Sequence, residues 1–235
     1  MTAEPRTCEP MLMRNEGFSS PPGAFRNLML LMAMVLAAYC LWVVLAELQR
    51  PKVRQLPTNT ADAAQAAAQR VDGTWAAWSG LIRGNFWAAS AFTFADLLWT
   101  DADNAEAEQA RARGDRAIRY SPAQGDVWLL LAALALRPDG NKSAAAESLR
   151  MSYYTAPNQL ALMSLRARIV AQLSETDDEL RQFAGRDIHI LLANSQKQAV
   201  IQAYNVATSS GREAISDQLK QDDAKLLNEI LRLRE

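Results

Sequence analysis

The sequence predicts an all-α protein: a single N-terminal transmembrane helix followed by a domain of packed helix pairs. Three observations predict it. Leu28 to Ala46 is a run of nineteen residues without a charge. From Thr60 onward alanine, the best intrinsic helix former, is dense, and helix-start signals recur. No two alternating β-branched runs are joined by an Asn-Gly or Asp-Gly turn, so nothing signals a hairpin. The 235 residues divide into a flexible tail (1–26), a transmembrane helix (27–48), a linker (49–59) and a helical domain (60–235).

The tail contains Pro5, Pro10, Pro21, Pro22 and Gly17 with no sustained apolar period, which disfavours regular structure. The apolar run would rise roughly 28 Å as a helix, about the thickness of a bilayer's hydrocarbon core. Arg26 and Asn27 close one end and Glu47, Gln49 and Arg50 the other, with Trp42 placed for the headgroup region. Val44-Leu45-Ala46 fits a signal-peptide cleavage pattern, but the run and the segment before it are both longer than signal peptides use, so an uncleaved anchor is expected. Cys40 follows Tyr39, where a lipoprotein cysteine needs a small residue.

Orientation rests on few charges. Arg14 and Arg26 precede the span and Arg50, Lys52 and Arg54 follow it, a count that slightly favours a cytoplasmic C-terminal domain. A short tail, one helix and a large distal domain is, however, the usual layout of a bacterial signal anchor, and long domains translocate largely regardless of charge. The expected arrangement is therefore a bacterial inner-membrane, single-pass protein with its N-terminus in the cytoplasm and its domain in the periplasm.

Within the domain, Thr60-Ala-Asp-Ala opens an Ala-rich helix that Gly73 is expected to end. Thr176 to Glu179, Ser195 to Gln198 and Ser210 to Glu213 read as capping boxes, in which a hydroxyl accepts from one free N–H and the Glu or Gln returns to another. Val127 to Leu136 is apolar at all ten positions. That is too short to span a bilayer, so the helix is expected to be buried on every side.

Residues 125–159 carry a more specific pattern. Trp128, Leu131, Ala132 and Ala135 fall on one helix and Ala145, Leu149 and Ser152 on the next, and Pro157 is expected to begin the helix after that, where its missing N–H costs nothing. Small residues at 132, 135 and 145 let two helices approach while Trp128 and Leu149 fill the space beside them. The segment resembles a tetratricopeptide repeat, with one extra residue in the turn Pro138 to Asn141 and serine at 152 where alanine is usual. Ala110, Ala117 and Pro122 resemble the end of a preceding repeat in which Gly114 replaces a bulky residue, and the resemblance covers about 84–173. It implies an α-solenoid whose first helices line a peptide-binding groove; the matching positions are Asp126, Leu129, Ala133, Leu136 and Arg137. It also implies a scaffold or assembly role in an inner-membrane or envelope complex, with a weak lean to surface-polysaccharide biosynthesis or export. The plainer expectation for the Leu face is a self-filled helical core.

Two further surfaces are candidates for partner binding. Arg113 and Arg116, with Arg111 and Arg119, crowd one helix as a candidate anion-binding stripe; Glu106, Glu108 and Asp115 can neutralise it, so a solvated face is the plainer expectation. Trp75 and Trp78 open an aromatic segment that runs to Trp99, suited to the core, to the membrane surface or to a partner's apolar helix.

Chemistry finds little support. The single histidine, His189, has no second His and no extramembrane Cys outside the tail to complete a zinc site. No P-loop, dinucleotide fingerprint, nucleophile elbow or His-Glu-x-x-His is present. With 25 Lys+Arg against 26 Asp+Glu, a generic nucleic-acid binder is not expected. The sequence thus predicts a non-enzyme without cofactor or metal, holding the membrane by one span and a protein partner by its domain. The rivals are an envelope glycan-active or glycan-binding protein using carboxylates in a helical fold, and a cytoplasm-facing regulator.

Overall fold

A computed structural model describes residues 23–48, 50–80, 82–99, 104–137, 140–173 and 177–232. The tail with Cys8, the turn residues Pro138 and Asp139, and Thr176 lie outside these. The described residues are all-helical: α1 (Gly23–Leu48), α2 (Thr60–Ala67), α3 (Arg70–Gly80), α4 (Gly84–Phe92), a 3₁₀ turn (Ala95–Leu98), α5 (Asn104–Tyr120), α6 (Gly125–Ala135), α7 (Lys142–Thr155), α8 (Leu160–Gln172), α9 (Asp178–Ala193), α10 (Lys197–Val206), α11 (Ser209–Asp222) and α12 (Ala224–Arg232). The chain divides into two compact units at Trp42–Val43.

The described part of the first unit is helical, and none of it is buried. Helix α1 has 26 residues and mean hydropathy 2.6 over its most apolar stretch, so it is long and apolar enough to cross a membrane. Its length is about 39 Å at the α-helical rise.

In the second unit consecutive helices pack on one another: α3 on α4, α4 on α5, α5 on α6 and α6 on α7. Asn59 caps α2 by accepting from the Asp62 N–H at 2.8 Å, and Asn141 caps α7 by accepting from Ser143 and Ala144. Helix α6 is touched by α4, the 3₁₀ turn, α5, α7 and α8. That surrounds its apolar sequence as expected: Val127, Leu129 to Ala132, Leu134 and Ala135 are buried, and Trp128, Ala133 and Leu136 are partly so. Ala132 on α6 and Ala145 and Leu149 on α7 belong to one core cluster, all without accessible surface. Ser152 has a reason to differ from alanine: its hydroxyl donates to the Gly125 carbonyl at 2.7 Å and ties the end of α7 to the start of α6.

Helix α8 joins two cores. Leu162, Leu165 and Ile169 face the cluster built from α4 to α7, while Met163, Ala167 and Ala171 face a second cluster built from α9 to α12. Helix α9 is shared in the same way, through Leu180 and Ala184 on one side and Ile188 and Leu191 on the other. Residues 178–232 therefore continue the same packing.

Several local expectations are corrected. Gly73 lies inside α3 and is buried; a Cβ there would stand 2.9 Å from Thr93 Cγ2, so glycine permits a close approach and ends nothing. Gly114 likewise leaves room for Leu131, whose Cδ2 would lie 2.8 Å from an added Cβ. Ser195 is not a cap: at φ 59° it is the left-handed residue that closes α9, with its N–H donating to the Leu192 carbonyl. Asp177 caps α9, and Thr208 caps α11 in place of Ser210. Pro157 sits in the turn before α8, where its carbonyl accepts from Arg186 at 2.8 Å.

The α8–α11 junction is the tightest of these approaches. Thr208 N–H donates to the Ala171 carbonyl at 2.9 Å, and an alanine Cβ at Gly211 would lie 2.2 Å from that oxygen. Backbone cannot yield as a side-chain tip can, so Gly211→Ala is expected to cost about 1–3 kcal/mol and lower the urea midpoint of the detergent-solubilised chain. An unchanged midpoint would contradict this packing.

Candidate functional site

The residues proposed to bind a partner separate into three places. On α6, Leu129 is without accessible surface, and Ala133 and Leu136 are packed against the core. Arg137 is partly buried and donates to the Leu97 carbonyl at 3.3 Å. The groove that the repeat resemblance implies at these positions is therefore corrected, and the plainer expectation of a self-filled core holds: α6 is touched by α4, the 3₁₀ turn, α5, α7 and α8, and Leu129 is fully covered.

On α5 the arginines turn to neighbouring helices. Arg113 donates to Ser90 Oγ at 2.7 Å and Thr74 Oγ1 at 3.1 Å, and its guanidinium lies 4.8 Å from the Phe94 ring centre. Burial first, and then the charge of Arg70, hold its pKa below the usual arginine value. Arg116 stacks over Trp87 at 4.7 Å. These contacts use Arg113 and Arg116 to clamp α3, α4 and α5, while Arg111 and Arg119 are exposed on the same helix. Glu106, expected to neutralise the stripe, instead pairs with Arg70 at 2.7 Å. Arg70 also takes both Asp96 oxygens, at 2.6 and 2.8 Å.

The aromatic segment splits. Phe86, Trp87, Phe92 and Phe94 are core. Trp75 and Trp78 are not: they flank an open depression of about 460 Å³ on α3. Other concavities are a groove of about 400 Å³ between the linker and α2, one of about 160 Å³ between α8, α9 and α11, and an open one of about 650 Å³ along α9 that includes His189. Each is lined by a single carboxylate, Asp62, Asp217 and Asp178 in turn.

A buried polar cluster escaped the sequence reading. Tyr153, Arg166 and Asp187 come from α7, α8 and α9 and are covered by protein. Arg166 Nη2 donates to the carbonyls of Ser152 at 2.6 Å and Ala156 at 2.8 Å, and its Nε donates to Ser152 Oγ at 3.1 Å. Its guanidinium lies 4.8 Å from the Tyr153 ring centre. Both Asp187 oxygens are buried without a hydrogen bond of normal geometry, and Arg186 Nη2 stands 3.9 Å from Oδ1. Burial pushes the Asp187 carboxyl up to about 6 against the opposing pull of Arg166 and Arg186. Burial, followed by the Asp187 charge, raises the Tyr153 phenol well above its usual value. Such shifts accompany catalytic groups in clefts, but this cluster has no opening to solvent and holds three helices together. Sequence carried one weak signal: Arg166 and Asp187 interrupt otherwise apolar faces.

His189 is exposed, with Nδ1 3.2 Å from Asp222 Oδ1. Among the described residues no three His, Cys, Asp or Glu side chains are grouped to hold a metal ion. Comparisons with protein-family models, curated proteins and solved structures find no match to this chain.

Proposed function

We propose that this chain is a single-span inner-membrane protein whose helical domain is a tetratricopeptide-like interaction module, a scaffold or assembly factor of an envelope complex rather than an enzyme. The observation that carries the reading is α1, an apolar 26-residue helix with none of its most hydrophobic stretch buried, followed by a domain of sequentially packed helices. A lone exposed helix of that composition is stable in lipid and not in water. The α6–α7 pair, close-packed through small residues, supports the repeat resemblance, which in turn favours protein binding and leans to polysaccharide assembly or export. The signal-anchor layout favours a periplasmic domain.

Alkaline phosphatase and, separately, a fluorescent protein fused after Glu235 test the arrangement. The expected result is a membrane pellet resistant to carbonate extraction, with phosphatase activity and no fluorescence. Fluorescence without phosphatase activity reverses the orientation and favours the cytoplasm-facing regulator. A domain that stays monodisperse and recovers no partner from detergent extracts at high salt would end the scaffold reading.

A further inference from the structure

Helix α3 is built inside out. Its inward positions are small: Gly73, Ala76, Ala77 and Gly80 are buried. Its outward positions are large and apolar: Val71, Trp75 and Trp78 are 70 %, 63 % and 76 % exposed, and Ile82, just past the helix, is 74 % exposed. Residues 71, 75 and 78 follow the i, i+4, i+7 spacing of one helical stripe. A soluble helix places its large side chains inward, so this stripe calls for an apolar or amphipathic medium outside.

The surrounding contacts indicate which medium. Ala76, on the inner face, packs with Ala46 and Phe86 as a small cluster. Ala46 is the last residue of the uncharged run, so a bilayer crossed by that run ends near it. The contact sets the depth of α3 at that boundary, where the face turned away from protein meets lipid headgroups and the upper acyl chains. Tryptophan is enriched at this depth because its ring is apolar and its N–H polar. Cations cluster beside it: Arg50 and Arg83 lie 5.3 and 5.5 Å from the Phe86 ring centre. Lys52 and Arg54 are exposed in the same stretch. Glu47, paired with Arg50, and the exposed Asp62 and Asp72 are the acidic groups nearby in sequence, one fewer than these four cations, Arg70 being taken up by Asp96 and Glu106. An excess of positive charge suits anionic headgroups.

We propose that α3 is an interfacial helix, with Val71, Trp75, Trp78 and Ile82 seated in the headgroup–acyl boundary of the bilayer that α1 crosses. This rests on the membrane-span reading and adds to it a second attachment, which would hold the domain against the surface.

The full chain, with Cys8 and Cys40 replaced by serine, is spin-labelled through one cysteine at a time at Val71, Ile82, Glu147 or Leu36. It is reconstituted in vesicles of phosphatidylcholine and phosphatidylglycerol at about 3:1. Collision with oxygen reports lipid, and collision with a water-soluble nickel chelate reports solvent. Labels at 71 and 82 are expected to show an oxygen-to-nickel ratio several-fold above that at Glu147, an exposed α7 position. Nickel accessibility at 71 and 82 equal to that at 147 overturns the proposal. So does protection from both reagents with spin broadening that disappears on dilution by unlabelled chain, which would assign the stripe to a second copy. The label at Leu36 separates the two readings: if it is also nickel-accessible, the span itself fails, and if it alone is lipid-exposed, only the interfacial helix fails.

Discussion

Leu129→Ala is expected to destabilise the helical domain by about 3–5 kcal/mol, the range for a buried leucine replaced without collapse of its site. The side chain has no accessible surface and sits where α6 meets helices on several sides. Neighbours held by five other elements cannot all move inward to fill the space. Urea unfolding of the detergent-solubilised chain, followed by circular dichroism, measures the loss. Leu129→Met keeps the volume and is expected to cost less than about 1.5 kcal/mol. Leu136→Ala, at a partly buried position, should fall well below the Leu129 value. If Leu129→Ala leaves the midpoint in place and weakens only partner capture, α6 is a binding groove after all.

Asp187 should make stability depend on pH in a direction opposite to most carboxylates. Its pKa is raised by burial to about 6, so the folded state holds the proton more tightly than the unfolded chain does. The contribution is fully present below the unfolded value of about 4 and is lost as pH rises through 6. The shift corresponds to about 3 kcal/mol between those limits. Asp177 and Asp223 act in reverse. Asp177 is lowered chiefly by the Leu180 N–H it accepts, and Asp223 chiefly by Lys197, so their contributions hold at neutral pH and fade as pH falls. The difference between the wild-type chain and Asp187→Asn isolates the buried group, because the exposed carboxylates cancel. Relative to wild type, the variant should gain stability from pH 4 to pH 7.5, by about 3 kcal/mol. Parallel stability curves for the two chains would show that Asp187 titrates normally and is hydrated. Arg166 keeps its carbonyl partners in either chain, so the variant does not strand it.

Much of the fold is legible from local pattern. An uncharged run of bilayer length, alanine density and an apolar decamer each depend only on neighbours along the chain. Hence α1, the all-helical class and the near-complete burial of α6 follow from sequence. Caps are less legible, since Asn59, Asp177 and Thr208 compete with adjacent residues of similar chemistry for the same N–H groups. Pro157 and Gly73 show the same limit: a residue that commonly marks a helix boundary also serves a turn or a close contact.

What the tertiary structure alone decided concerns pairs distant in sequence. Arg113 meets Ser90 and Thr74, which makes one member of the suspected anion stripe a clamp between helices. Arg166 and Asp187 are enclosed by separate helices, and no spacing rule connects them. The aromatic segment is uniform in composition, yet Phe86 is enclosed while Trp75 and Trp78 face outward. Sequence by itself determined that these rings lie on helices in the chain that follows an apolar span, because periodicity and hydropathy are local properties. Which face of α3 is covered was decided by where α4 and Ala46 pack against it, because burial is a property of neighbours in space.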